Sequence, residues 1–444
     1  MNGAVDQGRA QRGLAARSEG DPVSIGSRAA ASQAPSKRHK VLLFIPNLQQ
    51  GGAERQILEL MTRLPARFEP TLCLYEDVVH YREYLPDGEP RHVLGERRMG
   101  PRGLRKLVEV LREEKPDILH SYRDKANFWA RLATRRAAVP VVVTAVRSRA
   151  MHVVHLLTEQ WLSQKSDRII ANSEGVRREL VELAGVAPEK VQLLHNFIDL
   201  ERFRPPTNDE RAAARAKWGL GANEIALLLP GRVGVQKHQI GLALALARLR
   251  RAGRLPANVR VMLAGRNRDR VYSAVLPRVL ELLGLTEAVR FLGTVSEMLS
   301  LYHAADALVM PSLYEGLPNA VLEAHACGLP AVVSHAANID RIVVDGVSGF
   351  EAPTFDHDAL AEALARMVAA GPDERRAMGA RGRAHVAETF SVERILEETV
   401  RLYDDLLAAK GLADPSERSE ALPRGASAGG AGPSQGPASP KGLA

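Results

Sequence analysis

Aromatic residues are scarce, only 5% of the 444-residue chain. That leaves few platforms on which bases could stack, and no nucleic-acid-binding motif occurs, so no nucleic acid is expected as a partner. Cysteine is scarcer still. Cys73 and Cys327 are far apart and lack metal-ligand spacing, which argues against a disulfide framework and a thiolate metal centre; both are expected to be reduced core residues of a cytosolic protein. No apolar run approaches the roughly 18 residues of a membrane span, and the N-terminus has no hydrophobic signal core. The expected location is cytoplasmic, with peripheral attachment to the inner face of a membrane compatible with it. The first strand-to-helix turn also lacks the Gly-x-Gly-x-x-Gly spacing of a nicotinamide dinucleotide site, which counts against a dehydrogenase.

What the chain does have is length for more than one core and a formal charge of +8, which favours anionic partners such as diphosphates and acidic lipid headgroups without choosing among them. Residues 1–38 and 413–444 are rich in Ala, Gly and Ser without a sustained period and are expected to be disordered tails. Between them, strand-like runs at 41–46, 71–75, 117–121, 139–146, 167–172 and 191–195 alternate with helical patterns, and a second series follows at 225–229, 259–264, 289–292, 307–311 and 330–334. This alternation predicts α/β domains with parallel sheets. The expected division is a first Rossmann-like domain at 39–200, a polar linker at 201–222, a second domain at 223–390 and a last helix at 391–412.

The most informative stretch is 313–328, a turn after the apolar run 307–311 and then a helix closed by Gly328. Pro318 suits a first helical turn, leaving bare backbone N–H groups that would receive an anion. Glu315 in the turn and Glu323 on the helix add two acceptor-only carboxylates, suited to a ligand with hydroxyl groups on both sides of a phosphate. The turn at 230–238 carries Arg232 and Lys237, cations suited to a diphosphate and to negative charge on a leaving group. Gly51 and Gly52 lie where the first strand turns into a helix, either for close approach to a ligand or to make the turn.

Glu315 and Glu323, with seven residues between them, resemble the signature of the retaining glycosyltransferases of family 4, and the strings Gly-Gly-Ala-Glu-Arg at 51–55, Gly-Arg with Gln-Lys at 231–237 and His-Asn-Phe-Ile-Asp at 195–199 agree in order and place. The resemblance implies the GT-B fold, two doubly wound Rossmann-like domains facing across a cleft with the C-terminal helix crossing back to the first. It implies transfer of a sugar from a nucleoside diphosphate sugar, UDP- or GDP-linked, to a glycan, lipid-linked or small-molecule acceptor, with no cofactor and no metal. Glu323 then grips the ribose, Glu315 meets the sugar, and Arg232 and Lys237 face the phosphates. Gly51, Gly52, Gly316, Leu317, Pro318 and Asn319 line the diphosphate and sugar, with Arg266 and Leu292 near the base.

This chain departs from the pattern after the strand 139–146, where many relatives place a cleft histidine and this sequence has Val146 and Arg147. Arg147 and His120 are therefore the candidates for that part of the cleft. The departure also keeps open a binding or scaffold protein that no longer transfers sugar, and the fold keeps open a nucleotide-sugar epimerase. His195 is expected to be structural. Asp356-His357-Asp358 reads as a helix N-cap rather than a metal site. The basic helix within 91–112 is expected to pack on its sheet, with a membrane-facing basic rim still compatible.

Overall fold

The computed structural model describes residues 38–413 except 50, 81–84, 86–90, 150–152 and 268. The expected tails fall almost wholly outside these residues. In the first half, β1 (His39–Ile45), α1 (Gly52–Arg63), β2 (Phe68–Leu74), β3 (Arg91–Val93), α2 (Pro101–Glu114), β4 (Ile118–Tyr122), α3 (Asp124–Ala133), β5 (Val141–Val146), α4 (Val153–Leu162), β6 (Arg168–Ala171), α5 (Glu174–Arg178) and β7 (Val191–Leu193) follow one another. The second half runs α6 (Asn208–Lys217), β8 (Ile225–Pro230), α7 (Gln239–Arg251), β9 (Val259–Ala264), α8 (Arg270–Leu282), β10 (Val289–Gly293), α9 (Met298–Ala304), β11 (Ala307–Met310), α10 (Asn319–Ala326), β12 (Ala331–Ser334), β13 (Gly349–Ala352), α11 (His357–Ala369), α12 (Pro372–Phe390) and α13 (Val392–Ala409).

Among the described residues the strands form two sheets, ordered β3-β2-β1-β4-β5-β6-β7 and β10-β9-β8-β11-β12-β13, every pair parallel. Each order reverses once, between β1 and β4 and between β8 and β11. A crevice opens beyond the carboxyl ends of the strands at such a reversal. The turns that leave β1, β8 and β11 are those carrying Gly51-Gly52, Arg232 with Lys237, and Glu315.

The central strands are apolar on both faces because helices cover both faces. Leu42 and Phe44 pack with α2 and α3, while Val41, Leu43 and Ile45 pack with α1 and α13. On α2, Leu107, Val108 and Leu111 are buried on this sheet, the packing expected for the basic helix. α13 sets Ile395, Leu402, Tyr403, Leu406 and Leu407 into the core of the first sheet. Leu396 and Val400 of the same helix are only partly buried beside it.

The interval read as a linker is not bare chain. Its Thr207 and Glu210 form a capping box that starts α6, and Arg211 and Arg215 from α6 bind Asp306 at the foot of β11. The helix is thus tied to the second sheet. The two segments that cross between the sheets meet each other, with the Ile198 N–H donating to the Phe390 carbonyl at 2.8 Å.

His325 in α10 is wholly buried. Its Nδ1 donates to the Leu329 carbonyl at 2.9 Å, and Gly382 of α12 lies so close that a Cβ there would meet Nδ1 at 2.7 Å. Burial lowers its pKa from 6.5 to about 4. Below pH 6.5 the unfolded chain therefore binds a proton that the folded chain refuses, so stability falls as pH drops from 6.5 towards 4 and levels off below. Denaturant melts across that window should show a loss of roughly 3 kcal/mol that is missing in His325→Gln. Equal slopes for the two proteins would remove His325 as the cause.

Candidate active site

The turns after β8 and β9 are stitched together before any side chain is considered. Gly231 N–H donates to the Ala264 carbonyl at 2.8 Å and Val233 N–H to the Arg266 carbonyl at 3.1 Å. Gly265 permits this approach, since a Cβ there would stand 2.0 Å from the Gly231 carbonyl oxygen. Gly231 itself has φ of +135°, a region in which side chains are strained.

The turn after β8 then presents Lys237 to the turn after β11. Lys237 Nζ donates to Glu315 Oε1 at 2.7 Å, with both side chains largely buried, 13% and 9% exposed. Gln236 joins the same group: its Nε2 donates to the Tyr314 carbonyl at 3.1 Å, and its Oε1 accepts from Arg232 at 3.2 Å. Arg232, Lys237 and Glu315 thus form one linked set at the switch point, with Gln236 as the connector.

Glu323 does not join that set. One of its oxygens accepts from Arg55 of α1, the other from the Tyr302 hydroxyl at 2.6 Å. Burial, and then the neighbouring Glu323 charge, hold Tyr302 well above the usual phenol range, so it remains a donor. Arg55 also lies over the Phe203 ring, 5.0 Å from its centroid. A carboxylate has about four acceptor positions, so these two donors leave Glu323 capacity for ligand hydroxyls.

The glycine turn of the first sheet sits against the start of α10. A Cβ on Gly52 would meet Asn319 Nδ2 at 2.3 Å, and one on Gly316 would meet the Arg147 carbonyl oxygen at 2.7 Å. Asn196 bridges the same seam, its Nδ2 donating to Asn319 Oδ1 at 2.6 Å while its Oδ1 accepts from Arg147 at 2.6 Å. Pro318 stands one position earlier than expected, as the N-cap of α10 with ψ of 97°, rather than in its first turn. Leu317 is buried in the core of the second sheet, and Leu292 packs partly against it. Arg266 is near enough to Glu54 for its charge to act on that carboxyl, although burial still raises the pKa of Glu54.

Arg147 rests on the Tyr122 ring, 4.7 Å from its centroid, and its desolvation there lowers its pKa. His120 lies inside the core, with Nδ1 sharing a 2.6 Å hydrogen bond with the Tyr403 hydroxyl. Burial first and the Arg147 charge second keep its ring well below the ordinary imidazole range. His120 therefore stays neutral between Tyr122 and Tyr403, its Nδ1 hydrogen bond going to Tyr403 and not to the linked set. His195 Nε2 donates to Asp340 Oδ1 at 2.9 Å, and Asp340 also accepts the Glu174 N–H, which fixes the crossing segment. Asp356 caps α11, accepting from the Asp358 and Ala359 amides.

The family described as Glycosyltransferase Family 4 matches residues 50–202, and the one described as Glycosyl transferases group 1 matches residues 210–385. A D-inositol 3-phosphate glycosyltransferase of Saccharomonospora viridis is 32% identical over 311 residues, covering 66% of this chain and 71% of the relative. The chain belongs to the family 4 glycosyltransferases. This glycosyltransferase, a hexosyltransferase by class, is also 26% identical over 316 residues to an Escherichia coli UDP-Gal:alpha-D-GlcNAc-diphosphoundecaprenol alpha-1,3-galactosyltransferase, covering 68% of this chain and 79% of that one. In fold it matches the crystal structure of Anabaena Alr3699/HepE in complex with UDP, with a TM-score of 0.71 at 22% identity over 82% of this chain and 100% of the other. It matches that of WaaG, a glycosyltransferase involved in lipopolysaccharide biosynthesis, at 0.64 and 17%, over 82% and 99%. The architecture is GT-B.

Arg55, Tyr302, Gln236 and Asn196 were not singled out by the sequence. Arg55 and Gln236 stand inside the recognised strings, and Asn196 in the crossing motif, so their positions were signalled though their partners were not. Tyr302 carries no sequence signal; only the packing of α9 beside α10 brings it to Glu323.

Proposed function

We propose that this glycosyltransferase moves a hexose from a nucleoside diphosphate sugar to a hydroxyl of a glycan, lipid-linked or small-molecule acceptor, with retention at the anomeric carbon. The observation that carries the reading is the Lys237–Glu315 contact at the β8/β11 switch point, with Arg232 linked through Gln236. When the bond from the anomeric carbon to the diphosphate oxygen breaks, negative charge grows on that oxygen. Lys237 and Arg232 are the cations placed to stabilise it, so no metal is needed. The acceptor oxygen bonds to the anomeric carbon from the face the diphosphate leaves, and the acceptor proton departs with the nucleotide. Glu315 orients the sugar, and Glu323, held by Arg55 and Tyr302, receives the ribose hydroxyls. UDP is the favoured nucleotide because the galactosyltransferase relative uses UDP-Gal and Alr3699/HepE was crystallised with UDP.

A thermal-shift and product assay tests this. UDP should raise the melting midpoint and NAD should not, since binding to the native state alone adds about 2.7 kcal/mol at a hundred times Kd. UDP- or GDP-hexose with acceptor should yield glycoside and free nucleotide. A shift with NAD alone would overturn the ligand class, and isomerised sugar without transfer would mark an epimerase. Bound nucleotide with turnover no higher than that of Glu315→Ala would mark a non-catalytic binder.

A further inference from the structure

α4 is built inside out. Its single acidic residue, Glu159, is buried against Arg131, while Val153, Val154, Leu157 and Trp161 are 69%, 73%, 42% and 75% exposed. At about 100° per residue these four fall within roughly 100° of arc, with Glu159 on the opposite side. The outward face of α4 carries no ionised side chain. Leu183, 64% exposed, extends the patch from the π-helical turn Glu179–Leu183, which packs against α4. The exposed apolar residues of α8 differ, because its Arg278 and Glu281 form an exposed ion pair among them.

From these observations we infer that α4 is an interfacial helix that seats the enzyme on an anionic lipid bilayer. Three observations favour a bilayer over a second copy of the chain. The patch is five side chains, less than the roughly 800 Å² per partner of a standard protein interface. It spans only about 12 Å along the helix from Val153 to Trp161, the size of an apolar face that dips into the headgroup boundary, where Trp is favoured. Exposed Lys165, just past the end of α4, supplies positive charge suited to acidic headgroups. Exposed Glu182 and the Asp124 carboxylate, 41% exposed, are acids on the neighbouring elements.

The placement matters for the proposed reaction. α4 follows β5 after the loop that begins at Arg147, whose carbonyl abuts Gly316 at the seam between the two sheets. Seating α4 in a headgroup layer therefore turns the first sheet's side of the seam, which we assign to the acceptor, toward the bilayer. This deepens the acceptor reading above towards an amphiphilic acceptor held in the membrane, and it rests on that reading; the docking itself does not.

The test is co-sedimentation of the full chain with vesicles of phosphatidylcholine and phosphatidylglycerol, together with tryptophan emission. Wild type should pellet, shift its emission to the blue and release in high salt. Leu157→Asp with Trp161→Gln should lower the bound fraction at least tenfold while keeping the UDP thermal shift. Trp161→Phe should still pellet but lose most of the quenching by brominated lipid, a readout that does not depend on a charged variant folding. The proposal fails if wild type stays in the supernatant, if the double variant pellets equally, or if Trp161→Phe keeps the quenching. It also fails if the double variant converts a dimer to a monomer, which would make the patch a contact between copies. A lost UDP shift in wild type would instead count against the nucleotide reading alone.

Discussion

Alanine in place of Lys237 is expected to lower the turnover number for sugar transfer about a hundred- to a thousandfold, the usual cost of removing one group that stabilises developing negative charge. The donor KM should change much less, because the charge Lys237 meets is greatest in the transition state. Steady-state kinetics with the donor identified by thermal shift is the measurement. Lys237→Arg should recover part of the rate, since it restores the charge with a different donor geometry. Arg248→Ala serves as the control, because Arg248 pairs on the surface with Asp358 and its loss should cost less than twofold. Removing Lys237 also leaves Glu315 buried without its partner, so melting curves must accompany the kinetics. Should a folded Lys237→Ala protein keep half the wild-type rate, Lys237 is not the group that meets the leaving charge.

The second large effect is on stability. Arg131 and Glu159 are 0% and 1% exposed, joined by two hydrogen bonds of 2.9 and 2.8 Å, and the guanidinium is completed by Ser166 and Thr144, each at 2.9 Å. Two buried charges gain little over apolar residues of the same size, but removing one strands the other. Arg131→Met should therefore cost about 3–5 kcal/mol in urea denaturation, and adding Glu159→Leu should recover most of it. A single variant that loses less than about 1 kcal/mol would mean that Glu159 finds water or another partner. Because Glu159 is the inward anchor of α4, Arg131→Met should also weaken the vesicle binding proposed for that helix.

How much of this was readable beforehand follows from the range of each interaction. The central strands were legible because both faces are largely apolar, so Ala307–Met310 stands out as an unbroken run and Val141–Val146 as one interrupted by Thr144 alone. The edge strands Arg91–Val93 and Gly349–Ala352 were not; at three and four residues they are too short to show a period or an apolar run. The helix Asn208–Lys217 had its signal in Thr207 and Glu210, but its polar composition made the segment read as a linker. In the site, the turns bearing Arg232, Lys237 and Glu315 were marked by their position after strands, and each contact is a short reach between adjacent strand ends. Arg55 and Glu323 are separated by 268 residues, and no local pattern encodes that meeting.

The neighbouring path of the two connecting segments limits how the halves can travel. Ile198 and Ser391 form a parallel bridge, so both threads pass side by side at one point instead of at opposite rims. Sliding one half past the other would tear that bridge, whereas swinging about it keeps the bridge and parts the seam contacts farther out, such as Arg55 with Glu323 and Asn196 with Asn319. Under the proposed function, a bulky donor would enter and leave by a pivot about that crossing, and residues far from it would travel the greatest distance.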